Sequence, residues 1–341
     1  MRYNGGLVGA KKTTTSAAAS GIWSLKNAQV ERGASTWPTF GVAIAGYFGG
    51  GYDSDNISGI DKITFPADTK STLSATLTSA RYGLAGMADS GVAGYFGGGR
   101  NSVSGTVFSN IDKITFPADT KSTLSATLSS NRFYLGAMAN SGTAGYIAGG
   151  HDGGNFSSGI DKITFPTDSK STLSATLTTA RSSLAGMANF GTAGYFGGGE
   201  SGTGGYLSGI DKITFSSDSK STLSATLTSA VNHLAAMANS GTAGYFAGGH
   251  DGTNFSSGID KITFSADTKS TLSATLTTAR RLFAGVANSG VAGYFGGGGD
   301  ASGLLSGIDK ITFSADTKST LSDTLSSARG YMGAMADSGV L

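Results

Sequence analysis

The chain alternates short apolar segments with polar turns, and the pattern recurs about every 50 residues. Leu73, Ala75 and Leu77 alternate with polar residues, and this period of two predicts a strand over Leu73–Leu77 with different environments on its two faces. The branched and aromatic residues of Ile60–Phe65 also favour a strand over a helix. Glycine-rich segments lie between them, and each interior glycine disfavours a helix by about 1 kcal/mol relative to alanine. The pattern therefore predicts strands throughout the repeats.

Six copies of this pattern follow one another. Each copy contains a Gly-Tyr step, and these steps occur at Tyr47, Tyr95, Tyr146, Tyr195, Tyr245 and Tyr294. Around each step we distinguish four strand-length segments: a small-residue segment (a), the Gly-Tyr segment (b), an Ile-Asp-Lys segment (c) and a Thr-Leu-Ser segment (d). Four strands per unit of this length, repeated six times, predict a β-propeller.

The order of the segments predicts how the ring closes. The repeats begin with b, c and d within residues 39–80 and end with a lone segment a within residues 329–341. Pairing the last segment with the first three completes the sixth blade and removes an exposed sheet edge. We therefore predict an all-β, six-bladed propeller with four antiparallel strands per blade over residues 39–341. A seven-bladed ring would need strands from residues 1–38, which contain no repeat element.

The repeats also resemble a known family. Arg81, the small-residue segment, Ala93–Gly98 and Ile111–Ile114 follow one another in the order of kelch-type repeats, which carry a glycine doublet after an aromatic-bearing strand. The resemblance covers about residues 39–341 and implies the same propeller architecture.

Residues 1–38 differ from the repeats, contain both tryptophans and form a predicted N-terminal extension. Ser24 is a suitable cap for a short helix from Leu25 to about Arg32. The phrase Ser20–Leu25, followed by this polar helix and Trp37-Pro38, resembles segments of structural proteins of tailed phages. The resemblance implies a virion component that other virion proteins bind through residues 1–38, with the propeller displayed. The alternative is a helix that packs beneath the disc. The implied anchor residues are Ile22, Trp23, Leu25 and Trp37.

Composition narrows the chemistry. The net charge is +2, so no overall field favours nucleic acid or anionic lipid as a partner. The absence of cysteine excludes disulfides and thiolate metal sites. Nowhere do 18 consecutive apolar residues occur, so we expect no membrane span. The expected location is a virion assembled in the host cytoplasm, with the protein oligomeric in that assembly.

A catalytic constellation is not recognisable in the chain. Six-bladed propellers include sialidases, but glycoside cleavage usually needs paired carboxylates. The chain has two glutamates, Glu31 and Glu200, and most of its aspartates belong to repeated turns. Asp53–Asn56 has oxygen ligands suited to calcium, although a plain polar turn is the favoured interpretation. We expect no enzymatic activity, no cofactor and no metal, with a sialidase-like glycosidase as the least favoured alternative.

Differences among the copies concentrate in the b–c connections, whereas the c–d turn always keeps an aspartate followed two residues later by lysine. In an antiparallel blade the b–c and d–a connections emerge on one face. Variable loops on a rigid scaffold are typical of recognition, although long loops also vary because they are least constrained. The candidate binding residues on this face are Arg81, Arg100, Arg132, His151, Asp152, Arg181, Glu200, Tyr206, His250, Asp251, Arg280, Asp300 and Arg329.

The arginines at the d–a junctions admit two interpretations. They could line the channel mouth and bind anionic groups, or they could hydrogen-bond carbonyls of the neighbouring glycine loops and lock blade to blade, which we favour. The function expected for the whole chain is non-enzymatic binding of a host-surface glycan or protein by a phage virion component. The alternative is a soluble bacterial carbohydrate-binding or scaffolding propeller.

Overall fold

The computed structural model describes residues 13–14, 19–20 and 45–337. The chain divides into two units, Met1–Val42 and Ala43–Leu341. In the first unit, Thr13–Thr14 pairs antiparallel with Ala19–Ser20. The predicted helix over residues 25–32 lies outside the described residues. The same holds for the predicted anchor residues Ile22, Trp23, Leu25 and Trp37.

The second unit is a six-bladed β-propeller in which each blade is a four-stranded antiparallel sheet of order a–b–c–d. We number the blades by the chain order of their b strands. The a strands line the axis, and in blades 1 to 6 they are Gly333–Ala336, Ala85–Asp89, Gly136–Asn140, Ala185–Asn189, Ala235–Asn239 and Ala284–Asn288. The b strands are Ala45–Gly49, Ala93–Gly97, Ala144–Ala148, Ala193–Gly197, Ala243–Ala247 and Ala292–Gly296.

The outer two strands of each blade form a hairpin. The c strands are Ile60–Thr64, Asn110–Thr115, Ile160–Thr164, Ile210–Thr214, Ile259–Thr263 and Ile308–Thr312. The d strands are Thr69–Thr72, Thr120–Thr127, Ser169–Thr172, Ser219–Thr222, Thr268–Thr271 and Thr317–Thr320. Shorter elements lie between them: the 3-10 turn Phe165–Thr167, the pair Arg181–Ser182 with Glu200–Ser201, and the pair Gly299–Asp300 with Gly303–Leu304.

The ring closes as predicted. Gly333–Ala336 pairs antiparallel with Ala45–Gly49, and Met335 lies opposite Tyr47. The first blade therefore combines an a strand from the C-terminal end with the first b, c and d strands of the repeats. This confirms the six-bladed, all-β prediction.

Strand d lies earlier than the predicted Leu73–Leu77. In five blades it ends one residue before the corresponding leucine. Beyond that point the chain is tied to the c side of the blade at two positions, because Leu73 N donates to Ile60 O and Leu77 N donates to Ser58 O, both at 2.9 Å. The excursion between these two bonds interrupts the ladder. The predicted alternation survives as a burial pattern, since Leu77 is buried and its polar neighbours are exposed.

The glycine of each Gly-Tyr step lets neighbouring blades approach closely. A Cβ atom on Gly94 would lie 2.0 Å from Sδ of Met335 in the preceding blade, so only glycine fits. Methionines face the corresponding glycines of blades 3 to 6, and Val286 faces Gly46 at the closing interface. Six apolar clusters, one at each interface between neighbouring blades, form the core. Burial of each Phe or Leu in them contributes roughly 1.5–3 kcal/mol.

A tyrosine and a lysine of each blade bind an aspartate of the next. Tyr47 Oη donates to Oδ1 of Asp119 in the c–d turn of blade 2 at 2.9 Å, and Lys62 Nζ donates to Oδ2 at 2.8 Å. The Tyr47 ring also stacks on Phe116, with centroids 5.0 Å apart. Burial, followed by Asp119, raises the pKa of Tyr47, so the hydroxyl stays protonated and donates. The same joint recurs at the other five interfaces.

We expect deletion of residues 329–341 to lower the melting temperature by more than about 10 °C. The deletion removes a buried a strand and leaves the Ala45–Gly49 edge unpaired, which also promotes aggregation. Thermal unfolding followed by circular dichroism, together with light scattering, measures both effects. A truncated chain that melts with the full-length protein would contradict ring closure.

A pair of point variants provides the control for this deletion. At the interface between blades 6 and 1, Asp68 accepts hydrogen bonds from Tyr294 and Lys310. At an internal interface, Asp168 accepts the same bonds from Tyr95 and Lys113. Asp68→Asn and Asp168→Asn should therefore lower the free energy of unfolding equally, by about 1–2 kcal/mol. A neutral effect at Asp68 alone would indicate an open ring.

Candidate binding face

The d–a and b–c connections of each blade meet on one face of the disc, which we call the variable face. In blade 2, Tyr82 follows the d–a arginine and Arg100 is in the b–c connection. Their backbones exchange two hydrogen bonds of 2.9 Å. Equivalent pairs occur in the other five blades. The two connections therefore form one continuous surface.

The d–a arginines are buried beneath this surface. Arg181 Nη2 donates to Asp211 Oδ2 at 2.9 Å, and Nη1 donates to the carbonyl oxygens of Gly198 and Gly209 at 3.1 and 3.3 Å. The Arg181 carbonyl accepts the amide of Gly150 in the preceding blade at 2.9 Å. Each arginine thus ties the d–a connection to two blades, which supports the locking interpretation over an anion site. All five are at most 3 % exposed: Arg81, Arg132, Arg181, Arg280 and Arg329.

Two positions after the arginine, or after Val231 in blade 5, the chain forms a ring around the axis, which we call the axial ring. Its members are Gly83, Tyr134, Ser183, His233, Leu282 and Tyr331. Each amide donates to the carbonyl of the equivalent residue in the preceding blade, at 2.7–2.9 Å. The circle is closed by the bond from Gly83 N to Tyr331 O, at 2.8 Å.

The axial ring holds its residues in a strained conformation. All six have φ between 51° and 69°, the left-handed region. This region costs roughly 1–2 kcal/mol for a residue with a Cβ atom, and only Gly83 lacks one. Non-glycine residues held in this way cluster at functional sites. The ring is therefore a candidate site on conformational grounds as well as by its position.

Side chains of the axial ring and its neighbours form an axial aromatic cluster. The Tyr134 and Tyr331 rings stack with centroids 5.3 Å apart, and His233 packs edge-on against them at 4.9 and 5.4 Å. Tyr82 joins them at 5.4 Å from Tyr331. The cluster consists of Tyr52, Tyr82, Phe133, Tyr134, His151, Phe156, His233 and Tyr331. All of these except Phe133 are partly exposed.

Three titratable side chains of the axial aromatic cluster, His151, His233 and Tyr134, are held in their neutral forms at pH 7. Burial, followed by the charge of Arg281, lowers the pKa of His233 to about 3. Burial also lowers the pKa of His151. Burial raises the pKa of Tyr134, and the neighbouring Tyr331 and Tyr82 raise it further. The cluster therefore presents aromatic rings, phenol hydroxyls and uncharged imidazoles to solvent.

The axis beneath the cluster is narrow. A cavity of about 70 Å³ lies at the axial ring, and another of about 80 Å³ lies among the a strands. Because one buried water needs about 10–15 Å³ of such volume, each cavity holds only a few waters. A larger ligand would bind the outer surface of the cluster and not enter the channel.

The b–c connections of blades 3 and 5 share the same aspartate-capped turn. His151 stacks on Phe156 at 5.3 Å, and Asp152 Oδ1 accepts the amides of Gly154 and Asn155 at 2.8 Å. These backbone hydrogen bonds lower the pKa of Asp152, whose carboxylate is exposed. In blade 5, Asp251 Oδ1 accepts the corresponding amides of Thr253 and Asn254, whereas the His250 and Phe255 rings are tilted, with centroids 4.9 Å apart.

The remaining predicted binding residues are dispersed around the disc. The Arg100 guanidinium lies 5.3 Å from the Phe133 ring centroid and so borders the axial aromatic cluster. Glu200 Oε2 accepts Asn232 Nδ2 at 2.6 Å. Tyr206 packs edge-on against His250, with centroids 6.4 Å apart, and Asp300 caps its own turn. Of the predicted residues, Arg100 and His151 lie at the cluster.

Sequence reasoning missed the axial ring. Variation among the copies, which points to the b–c connections, also marks this position. The second residue after the arginine position differs among the copies, with five residue types in six positions. The signal is weak because the position lies inside a short connection, two residues after an arginine that five of the six copies share.

No protein-family model matches the chain, and no curated protein is found to be similar to it. Within the described ranges, no group of three or more His, Asp or Glu side chains is placed to hold a metal ion. In the same part of the chain, no helix is long and apolar enough to cross a bilayer. The fold defines the class, a six-bladed β-propeller.

We expect His233→Gln to reduce the loss of stability in mild acid. The pKa of His233 is about 3 in the folded protein and about 6.5 when unfolded, so below pH 6.5 the unfolded state alone takes up the proton. The free energy of unfolding then falls as the pH drops towards 3. The loss attributable to His233 between pH 7 and pH 5 is at most about 2 kcal/mol.

Urea unfolding at pH 7 and pH 5 measures this difference. The control is Phe190→Ala on the exposed a–b turn of blade 4, which removes no titratable group and should keep the acid sensitivity of the wild type. An unchanged pH dependence in His233→Gln would show that folding does not lower the pKa of His233.

Proposed function

We propose that this chain is a non-enzymatic recognition protein of a phage virion, in which residues 1–38 attach a six-bladed propeller to the particle and the variable face binds a host-surface glycan. The observation that carries the proposal is the axial aromatic cluster, built by differing side chains on an axial ring whose backbone is the same in every blade. Differing side chains on a constant frame are typical of recognition surfaces.

The chemistry of the axial aromatic cluster favours a sugar. A pyranose presents an apolar C–H face and a rim of hydroxyls, and tyrosine presents an apolar ring face and a hydroxyl. Tyr134, Tyr331 and Tyr82 offer both kinds of contact within one partly exposed group. The neutral state of His233 favours an uncharged or weakly charged saccharide over a strongly anionic one. Arg100 at the border supplies one cation for an acidic substituent.

The assignment to a virion rests on the phage-like phrase at Ser20–Leu25 and on Trp37-Pro38. Through these residues the protein would contact other virion proteins and take its place in an oligomeric assembly made in the host cytoplasm. A soluble bacterial carbohydrate-binding or scaffolding propeller would use the same variable face without the particle. The kelch-like order of the repeats agrees with either setting.

Substitution at the axial ring tests the glycan site. Tyr134→Gly and Tyr331→Gly place at these positions the residue that blade 2 carries at Gly83, so the backbone ring should be retained. We expect each variant to weaken binding to glycans selected on an array by at least about tenfold, with the melting temperature unchanged within a few degrees. The matched control is Phe190→Ala, because Phe190 is 53 % exposed on the a–b turn of the opposite face.

Two outcomes would reject parts of the proposal separately. Glycan binding that persists in Tyr134→Gly and Tyr331→Gly would exclude the axial aromatic cluster as the site. Mass spectrometry of purified particles that finds the full-length protein, but not a chain lacking residues 1–38, supports attachment through that segment. If the full-length protein is absent from the particles, the soluble alternative is favoured, whether or not the protein binds a glycan.

A further inference from the structure

Blade 5 departs from the other blades at one buried position. Val231 occupies the place of the d–a arginine, while strand c keeps its aspartate, Asp260. Where the other blades place the guanidinium, blade 5 contains a cavity of about 70 Å³. Four residues of its wall are Phe246, Gly248, Gly258 and Asp260.

Blade 4 shows what this frame holds when the arginine is present. Arg181 Nη2 donates to the Phe196 carbonyl at 3.1 Å and to Asp211 at 2.9 Å. Nη1 donates to the carbonyls of Gly198 and Gly209 at 3.1 and 3.3 Å. The residues of blade 5 at these four acceptor positions are Phe246, Asp260, Gly248 and Gly258, which all line the cavity. The acceptor set for a guanidinium is therefore complete in blade 5.

A fifth acceptor comes from comparison with blade 3. There, Arg132 Nη1 lies 3.3 Å from Ser157 Oγ as well as contacting the carbonyls of Gly149 and Gly159. Ser256 occupies the Ser157 position in blade 5 and also lines the cavity.

The Asp260 carboxylate has capacity for another donor. Its side chain is 11 % exposed, against 2 % or less for the corresponding aspartates of the other blades. Within the described residues, Asp260 Oδ2 accepts the amide of Thr228 at 2.7 Å. Asp211 Oδ2 in blade 4 accepts both the Thr178 amide and the Arg181 guanidinium.

We propose that the blade 5 cavity is a binding site for a guanidinium group supplied from outside the chain, either on a small molecule or on an arginine side chain of a partner protein. The volume equals several times the 10–15 Å³ that one water needs, which suits the four heavy atoms of a guanidinium. The carbonyls and the carboxylate are acceptors spread around the cavity, and they match a planar fork of donors better than a compact ammonium. Thr228, Ser229 and Thr271 line the cavity and are exposed, so it opens to solvent.

The proposal is tested with guanidinium chloride at low millimolar concentration, far below denaturing levels, against sodium chloride at equal ionic strength. Titration followed by NMR should show saturable binding with one site per chain and shifts confined to residues around Asp260. Methylammonium should bind at least about tenfold more weakly. Val231→Arg should abolish the binding, because its own guanidinium fills the site, and should raise the melting temperature.

A matched variant extends the test to another blade. Arg280→Val creates in blade 6 the arrangement that blade 5 has naturally, and we expect two guanidinium sites per chain instead of one. Asp260→Asn should weaken binding at the natural site without affecting the new one. Guanidinium binding that is unchanged in Val231→Arg, or no saturable binding by the wild type at tens of millimolar, would overturn the proposal.

The source of the group is distinguished by a second ligand. N-acetyl-arginine amide that competes with guanidinium shows that the cavity admits a side chain from a protein. Binding of the free ion without competition by the arginine derivative limits the site to small guanidinium compounds.

Discussion

Six backbone amides hydrogen-bond in a circle around the propeller axis, each to the carbonyl of the equivalent residue in the preceding blade. The circle requires a left-handed backbone at every member, including Leu282 and His233, which pay roughly 1–2 kcal/mol each for it. Burial of the six apolar clusters between the blades offsets this strain many times. Because only backbone atoms make the circle, the side chains at its members are free to differ. The axial aromatic cluster follows from this freedom.

Elsewhere in the blade, side-chain interactions restrict which residues can occur. The Tyr47–Asp119 joint and the Arg181–Asp211 lock each need particular side chains, and both types recur with nearly the same geometry around the disc. Removing one partner of the buried Arg181–Asp211 pair typically costs about 3–5 kcal/mol. The Tyr47–Asp119 joint is partly exposed, and its loss costs about 1–2 kcal/mol. Stability and recognition thus depend on different residues of the same blade. Blade 5 is the exception, because Val231 occupies the position of the d–a arginine. The acceptors that bind the guanidinium in the other blades line a cavity there.

The closed ring could be predicted because pairing between repeats follows from the order of the segments, and a lone a segment at residues 329–341 has one partner available. The burial of Arg81 and its equivalents does not follow from the sequence, because an arginine can face either solvent or an aspartate of its own blade. The axial ring escaped prediction because tyrosine, serine and leucine, which occupy four of its six positions, are uncommon in a left-handed backbone. The cavity at Val231 could not be predicted, because it depends on where the fold places the Gly248 and Gly258 carbonyls. The roles of Ile22, Trp23, Leu25 and Trp37 stay predictions.

Native-state hydrogen exchange at the axial ring tests the central claim most directly. Gly83 N bonds to the carbonyl of Tyr331, and this bond joins the two ends of the repeats. Tyr331 N bonds to the carbonyl of Leu282 and belongs to the C-terminal segment that closes the ring, whereas the bond from Ser183 N joins consecutive blades in mid-chain. If the ring is closed and cooperative, the amides of Gly83 and Tyr331 are protected as strongly as that of Ser183. Exchange at Gly83 and Tyr331 that is faster by several orders of magnitude would show that the circle is open at its junction.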